Sequence, residues 1–261
     1  MGLNLGSTAI SDLKLGSTQV DKVYLGNSVV WEKSSPVPEI KALKFTSADT
    51  QILSIDNGKL GTVTPNFEYS IDNGSTWTSW DVTTTITFGS GVDLYVRGSN
   101  TILAKSGPNY VNFRFTTASP VYCSGNVMHL YDYTQDLTSF PSGSVSRGLK
   151  YLFAGCTQLV TCPSLPATTL VNSAYNSMFI NCTSLVTLPA LPAAEGVSSC
   201  YTNMFDGCTS IKLSETQTGE YQNEYTILAY NYSINTFANT GGTFTGTTTQ
   251  ATYYTSNTII S

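Results

Sequence analysis

The chain has 261 residues, enough to bury the core of one large domain or of two to three small ones. Only 11% of its residues are charged, and Thr, Ser, Asn, Gly and Tyr are abundant, as is typical of β-rich extracellular or virion proteins. The net charge is −5 and no cluster of Lys and Arg is present, so the sequence offers no basic surface that would bind the phosphates of a nucleic acid. No apolar stretch approaches about 18 residues, so we expect no membrane insertion.

Residues 1–33 carry a ten-residue repeat whose copies start with Leu-Gly at Leu5, Leu15 and Leu25. A Gly-Ser or Gly-Asn turn between short apolar alternations predicts small β-hairpins or one coil of a miniature β-structure. Because a segment of this size buries little surface alone, we expect it to anchor the chain on another protein. The predicted docking residues are Leu5, Leu15, Leu25 and Trp31. The alternative is a simple hairpin that packs on the following domain.

A polar, proline-containing linker at 33–38 precedes a second pattern, in which apolar residues alternate at period two between turn signals. The sequence predicts an antiparallel β-sandwich over residues 38–118. Its predicted strands lie at 40–45, 67–71, 86–88, 94–97 and 111–115.

Residues 70–77 match the Asp-box pattern S-x-D-x-G-x-x-W. We expect Asp72 to accept backbone N–H groups across a hairpin, Gly74 to adopt positive φ, and Trp77 to fold back over the turn. A sialidase propeller would need several copies, so the single copy indicates a structural hairpin.

Aromatic side chains are the candidate ligand-binding residues, because flat rings can stack on sugar rings. The alternative for such residues is core packing or a subunit interface. The candidates lie around the Asp-box and in an insertion at 214–236, and they are Tyr69, Trp77, Trp80, Tyr221 and Tyr225.

From about residue 119 to 261 the pattern is a repeat of 26 residues. Such a period, with leucines at fixed offsets, predicts a short stack of leucine-rich repeats in which equivalent side chains line up. We expect the three cysteines at this spacing to be free thiols that act as small buried hydrophobic groups. The predicted ladders are Phe153, Phe179 and Phe205; Cys156, Cys182 and Cys208; and Leu159, Leu185 and Ile211.

These units, with their "MF-x-x-C-x-x-L…P-x-LP" pattern, resemble the BspA-like leucine-rich repeats of Bacteroidetes surface and phage proteins. The segment from Phe237 onward resembles the terminal, capping repeat of that family, and the "LGST-x-V-x-K-V-YLG" segment resembles the leader of phage-encoded Bacteroidetes proteins. The resemblance implies a mainly β fold with a short α/β leucine-rich-repeat solenoid, in which residues 119–261 follow the sandwich and end in a cap.

The sequence offers little support for catalysis. His129 is the sole histidine, and we expect it to be a half-buried strand residue. Five aspartates lie in or beside predicted turns, where an Asp side chain accepts hydrogen bonds from the backbone. They are Asp49, Asp56, Asp72, Asp81 and Asp93. Metal-ligand spacings are missing. We therefore predict no catalytic residues, no metal site and no cofactor, although a carboxylate pair that meets in space would allow a glycan hydrolase.

These patterns together predict a non-enzymatic virion protein of a bacteriophage: a head fibre, a decoration protein or a tail-associated protein. Residues 1–32 would dock on capsid or tail proteins, and the repeats would contact a host surface protein or polysaccharide. We expect a homo-oligomer, with a trimer as one candidate. The chain as given starts without a secretory signal, which suits a virion protein; a trimmed signal is the alternative. The alternative function is a BspA-like adhesin on the bacterial cell surface.

Overall fold

The computed structural model describes residues 39–142, 147–214 and 235–243, together with Val20 and short paired strands within residues 4–32. The chain divides into two compact parts, residues 1–40 and residues 41–261. The described residues are mainly β, and their two short helices are α1 (Asn57–Leu60) and a 3-10 helix at Val127–Leu130. The strands are β1 (Asn4–Leu5), β2 (Thr8–Ala9), β3 (Lys14–Leu15), β4 (Thr18–Gln19), β5 (Lys22–Leu25), β6 (Ser28–Glu32), β7 (Leu43–Thr46), β8 (Gln51–Ile55), β9 (Phe67–Ser70), β10 (Thr78–Trp80), β11 (Ile86–Phe88), β12 (Leu94–Gly98), β13 (Phe113–Phe115), β14 (Val121–Gly125), β15 (Leu159–Thr161), β16 (Lys212–Ser214) and β17 (Gly241–Thr243).

The described residues of the N-terminal part form three antiparallel strand pairs, one for each copy of the ten-residue repeat. Leu5 pairs with Thr8 in β1–β2, and Leu15 pairs with Thr18 in β3–β4. The third pair, β5–β6, is longer and contains a register shift after Val23. The predicted hairpins are therefore confirmed. The linker at 33–38 lies outside the described residues.

Two antiparallel sheets pack face to face in residues 41–125. One has the strand order β10-β9-β12-β7-β14, and β15 extends it; the other has the order β11-β8-β13. The ring of Phe45 in the first sheet lies 6.1 Å from that of Phe113 and 5.6 Å from that of Phe115 in the second. Phe67 and Trp80 complete this aromatic core at 6.0 and 6.1 Å from Phe113. Alternation at period two places these side chains on the inner faces.

The repeat stack, residues 147–214 and 235–243, is built from coils that bond to one another in register. The backbone N–H of Phe153 donates to Met178, that of Phe179 to Met204, and that of Phe205 to Thr236, each at 2.9 Å. The predicted stacking of the phenylalanines is confirmed, because both consecutive pairs have ring centroids 5.6 Å apart and planes within 1°. Phe237 continues the column at 5.6 Å from Phe205.

Turns occupy the segments where the α/β resemblance implied helices. Residues 148–155, 172–181 and 198–207 form consecutive turns, and none of them is helical. The cause is a left-handed residue at every fourth position: φ is 56° at Ser173, 53° at Ser177 and 59° at Asn181. A positive φ interrupts an α-helix, and short polar side chains tolerate it best. Each coil therefore combines short i to i−3 bonds with bonds to the next coil.

A ladder of buried thiols fixes the spacing between coils. The Sγ of Cys182 donates to the carbonyl of Phe153 at 3.1 Å, and that of Cys208 donates to Phe179 at 3.0 Å. At the start of the stack, Cys156 makes the same contact, at 3.1 Å, with the carbonyl of Phe113 in β13. Strand β13 thus takes the place of a preceding coil, and one hydrophobic core runs without interruption from the sandwich to Phe237.

Candidate functional site

The Asp-box hairpin between β9 and β10 has the geometry expected from its sequence. The carboxylate of Asp72 accepts hydrogen bonds from Ser70 Oγ at 2.7 Å, Thr76 N at 2.9 Å and Thr76 Oγ1 at 2.6 Å. Gly74 has φ 75°, and the indole N–H of Trp77 donates to its carbonyl at 3.1 Å. These contacts hold Trp77 in a fixed orientation at the edge of the sheet.

Trp77 forms an aromatic clamp with Arg97 and Tyr133. The guanidinium carbon of Arg97 lies 3.6 Å from the centroid of the Trp77 ring and 3.9 Å from that of Tyr133. Glu68, opposite Arg97 in the β9–β12 register, accepts two bonds from that guanidinium at 2.9 Å. Stacking on two rings and pairing with a carboxylate immobilise Arg97, so this surface is preorganised.

The structure separates the other predicted ligand-binding residues. Trp80 is only 4% exposed, stacks on Phe113 and donates to the carbonyl of Thr84, so it is a core residue and offers no free face. Tyr69 is half-buried in β9 and pairs with Thr78. Tyr221 and Tyr225 lie outside the described residues. The proposed docking residues, Leu5, Leu15, Leu25 and Trp31, lie on paired strands, and their side chains are outside the described set.

A groove of about 700 Å³ lies where the end of β12 meets the loop at 131–142. Asp132 is held in its wall by a β-bridge to Ser99, and its carboxylate accepts bonds from Thr134 N at 2.9 Å and Thr134 Oγ1 at 2.6 Å. Hydrogen bonds from Thr134 lower the pKa of Asp132, so this carboxyl is ionised at neutral pH. Tyr133 of the clamp is its neighbour in the chain. Asp132 is the one acidic side chain among the described residues that line the groove.

His129 is in a 3-10 helix and fully buried, whereas the sequence predicted a half-buried strand residue. The strand ends at Gly125, and the side chain of Asn126 caps the short helix by accepting from Met128 N at 2.8 Å. The His129 Nε2 lies 2.9 Å from Asp136 Oδ1, and Lys41 also binds Asp136, at 2.6 Å. These contacts tie Asp136, in the loop at 131–142, to the short helix and to Lys41.

Sequence reasoning missed Arg97, Tyr133 and the groove. Arg97 was weakly indicated by the sequence, because a charged residue within an apolar strand is expected to pair with an opposite charge on the neighbouring strand. Tyr133 had none, since only the fold brings residues 77, 97 and 133 together.

Comparison of the chain with protein-family models, with curated proteins and with solved structures found no match. None of the helices in the described part of the chain is long and apolar enough to cross a membrane. Within the same residues, no group of three His, Cys, Asp or Glu side chains is placed to hold a metal ion.

Proposed function

We propose that this chain is a non-enzymatic surface protein of a bacteriophage particle, of the BspA-like leucine-rich-repeat kind. Its N-terminal hairpins dock on a capsid or tail protein, and its sandwich and repeats present a surface for adhesion to host protein or polysaccharide. The single observation that carries the proposal is the register of the repeats. Phe153, Phe179 and Phe205 stack with almost parallel rings, and backbone N–H groups of one coil donate to carbonyl groups of the next.

Such a stack buries its repeated residues and leaves its variable ones outside, which suits a display scaffold. The outside carries little charge, because the whole chain has only 12 Lys and Arg residues and 17 Asp and Glu residues. The aromatic clamp adds a preformed contact surface to this scaffold. Immobile aromatic and arginine side chains at a surface are the groups that contribute most to recognition.

Antibody labelling of particles and cells tests the location. An antibody raised against the full chain should decorate phage particles released by lysis of the producing bacterium, as seen by immunogold electron microscopy. Labelling of the cell envelope alone, with bare particles, would contradict the virion proposal and favour the BspA-like adhesin.

Docking is tested with a variant in which Leu5, Leu15 and Leu25 are changed to Ser. We expect this variant to be lost from purified particles, since it removes the apolar side chains that recur in each hairpin. Val186→Ser is the matched control, because Val186 is 50% exposed in the repeat stack and far along the chain from the hairpins. Equal incorporation of both variants would reject the docking role.

A homo-oligomer, with a trimer as the fibre-like form, is part of the same proposal. Size-exclusion chromatography with multi-angle light scattering of the full chain at micromolar concentration should show that species. A monomer at every concentration would reject self-association while leaving particle attachment to the preceding tests.

A further inference from the structure

A groove lies beside the aromatic clamp, and its size fits a small ligand. Its volume of about 700 Å³ lies within the range of about 300–1,000 Å³ that is typical of ligand pockets. It has no part in the repeat ladder or in the Asp-box hairpin. We therefore asked which chemistry its walls match.

Hydroxyl groups dominate the polar lining of the groove, and the described lining contains no Lys, Arg or His. The serine and threonine side chains can both donate and accept hydrogen bonds. An anionic ligand would find no cation here and would meet the ionised Asp132. The hydroxyl residues are Ser99, Thr101, Thr134, Ser139 and Ser142.

Asp132 is a fixed hydrogen-bond acceptor in this groove. Its Oδ1 accepts both bonds from Thr134, whereas Oδ2 accepts one bond, from Gln135 Nε2 at 2.7 Å. An ionised carboxylate has about four lone-pair sites, so Oδ2 keeps capacity for a ligand hydroxyl. The side chain is pre-positioned, which reduces the entropy lost on binding.

The backbone behind the groove is also fixed. Asn100 donates its backbone N–H to Tyr131 at 2.7 Å and its amide to Leu130 at 2.7 Å. A Cβ on Gly98 would lie 2.4 Å from the carbonyl of Leu130, so β12 and the loop are in direct contact here. These contacts hold the end of β12 against residues 130 and 131.

An apolar patch complements the polar lining. Leu137, Phe140 and Pro141 are the apolar residues of the described lining besides Tyr131, and Phe140 packs edge-on against Tyr131 at 5.8 Å. Sugar rings have hydroxyl groups at their edges and C–H groups on their faces, so they match a wall of hydroxyls beside an apolar patch.

We infer that this groove binds a neutral saccharide, with Asp132 accepting ligand hydroxyls and the half-buried Leu137 and Pro141 contacting a ring face. The inference rests on the proposed adhesive function and names the ligand class of one site. Asp132 is the one carboxylate in the described lining, whereas glycoside hydrolysis uses a pair, so the proposal is binding without cleavage.

The test is a glycan array probed with the fluorescently labelled full chain. The array should hold neutral hexose and N-acetylhexosamine oligosaccharides beside sialylated and sulfated glycans, with a polyamine spot as a cationic probe. We expect binding to neutral oligosaccharides only. Stronger binding to the sialylated, sulfated or cationic probes, or binding to none, would overturn the inference.

Two variants locate the binding. Ser142→Trp should fill the groove and abolish binding, because Ser142 is exposed, lines the groove and makes no described side-chain hydrogen bond. Asp132→Asn should weaken binding about tenfold by removing the charged acceptor. Ser106→Trp, also exposed but outside the groove lining, is the matched control and should bind as the wild type does.

Thermal melting must show that each variant folds before it is compared. Binding that survives Ser142→Trp would overturn the assignment of the groove. The outcome is separate from that of the antibody experiment: decorated particles without glycan binding reject the saccharide site alone, and bare particles reject the virion proposal alone.

Discussion

At the scale of single residues, local hydrogen bonds determine the charge state of Asp72. Donors from Ser70 and Thr76 surround its carboxylate, although the residue is exposed on the hairpin. The hydrogen bond from Ser70, followed by those from Thr76, lowers the pKa of Asp72 from 3.8 to about 2. The folded chain therefore favours the charged form more strongly than the unfolded chain does.

This shift predicts how stability depends on pH. Because the folded pKa is the lower one, the contribution of Asp72 is present above pH 3.8 and is lost as the pH falls toward about 2. Asp72→Asn should be less stable than the wild type at pH 7, and the difference should narrow through this window. Urea unfolding at several pH values measures it, with Ser70→Ala expected to reduce the pH dependence. A difference that is the same at pH 7 and pH 2 would contradict the prediction.

The buried thiols predict a low chemical reactivity. Burial raises the pKa of Cys156 and of Cys208 to about 12, and it raises that of Cys182 well above its ordinary value. Since the thiolate is the reacting species, these cysteines should stay unlabelled by iodoacetamide at pH 8 while the chain is folded. Cys162, which is only partly buried, should react first. Peptide mass spectrometry after timed labelling reads each site, and rapid labelling of Cys182 in the folded protein would contradict the ladder.

At the scale of elements, the phenylalanine column joins successive coils through stacked rings. Phe179 has both ring faces covered, by Phe153 and by Phe205, each at 5.6 Å. Phe179→Ala should lower the free energy of unfolding by about 3–5 kcal/mol, because it leaves a cavity in the middle of the column. Val186→Ala, at a half-exposed position of the same repeat, should change it by less than about 0.5 kcal/mol. Denaturant titration compares them, and equal effects would contradict the role of the column.

The sequence predicted those elements whose side chains repeat regularly. The column of phenylalanines follows from the 26-residue spacing, and strand β11 follows from alternation. Strand β8 was not predicted, because a polar residue, Gln51, occupies one of its inward positions. Gln51 is fully buried. Its side-chain N–H groups donate to the carbonyls of Thr117 and Ser119, and its Oε1 accepts from the backbone N–H groups of Ile52 and Thr117. Such compensation depends on a distant loop and cannot be seen in the local pattern.

The candidate site was predictable only where its contacts are local. The Asp-box identified Trp77 because its hairpin spans eight residues, 70–77. Arg97 and Tyr133 reach Trp77 through strand pairing and loop packing, so their roles needed the fold. The same limit applies to the turns of the repeats, because the positive φ at Ser173, Ser177 and Asn181 is visible only in the structure.

At the scale of the molecule, the sandwich and the repeat stack share one core. The Phe153 ring contacts Phe45 at 6.3 Å and Phe113 at 5.7 Å, so the first coil packs on both sheets. Asn112 adds hydrogen bonds from its side chain to Tyr151 and Ala154, at 2.9 and 3.1 Å. Neither structure is expected to unfold while the other stays intact.

Coincident unfolding is the corresponding prediction. In a Trp31→Phe background, fluorescence from Trp77 and Trp80 reports on the sandwich, and labelling of Cys182 reports on the stack. Both signals should change at the same urea concentration, since the shared core makes a single cooperative transition. Two separated midpoints would show that the regions unfold independently.

The contact between Cys156 and Phe113 has a consequence for how this chain can evolve. Strand β13 offers Cys156 the same carbonyl acceptor that Phe153 offers Cys182 and Phe179 offers Cys208. We therefore expect loss or duplication of one whole 26-residue segment to preserve this thiol contact between the cysteine-bearing coils. Variants of this chain can therefore differ in the length of the repeat stack by whole numbers of coils. Each coil adds about 5.6 Å, the distance between successive phenylalanine rings, and the sandwich and the final coil need no change in sequence.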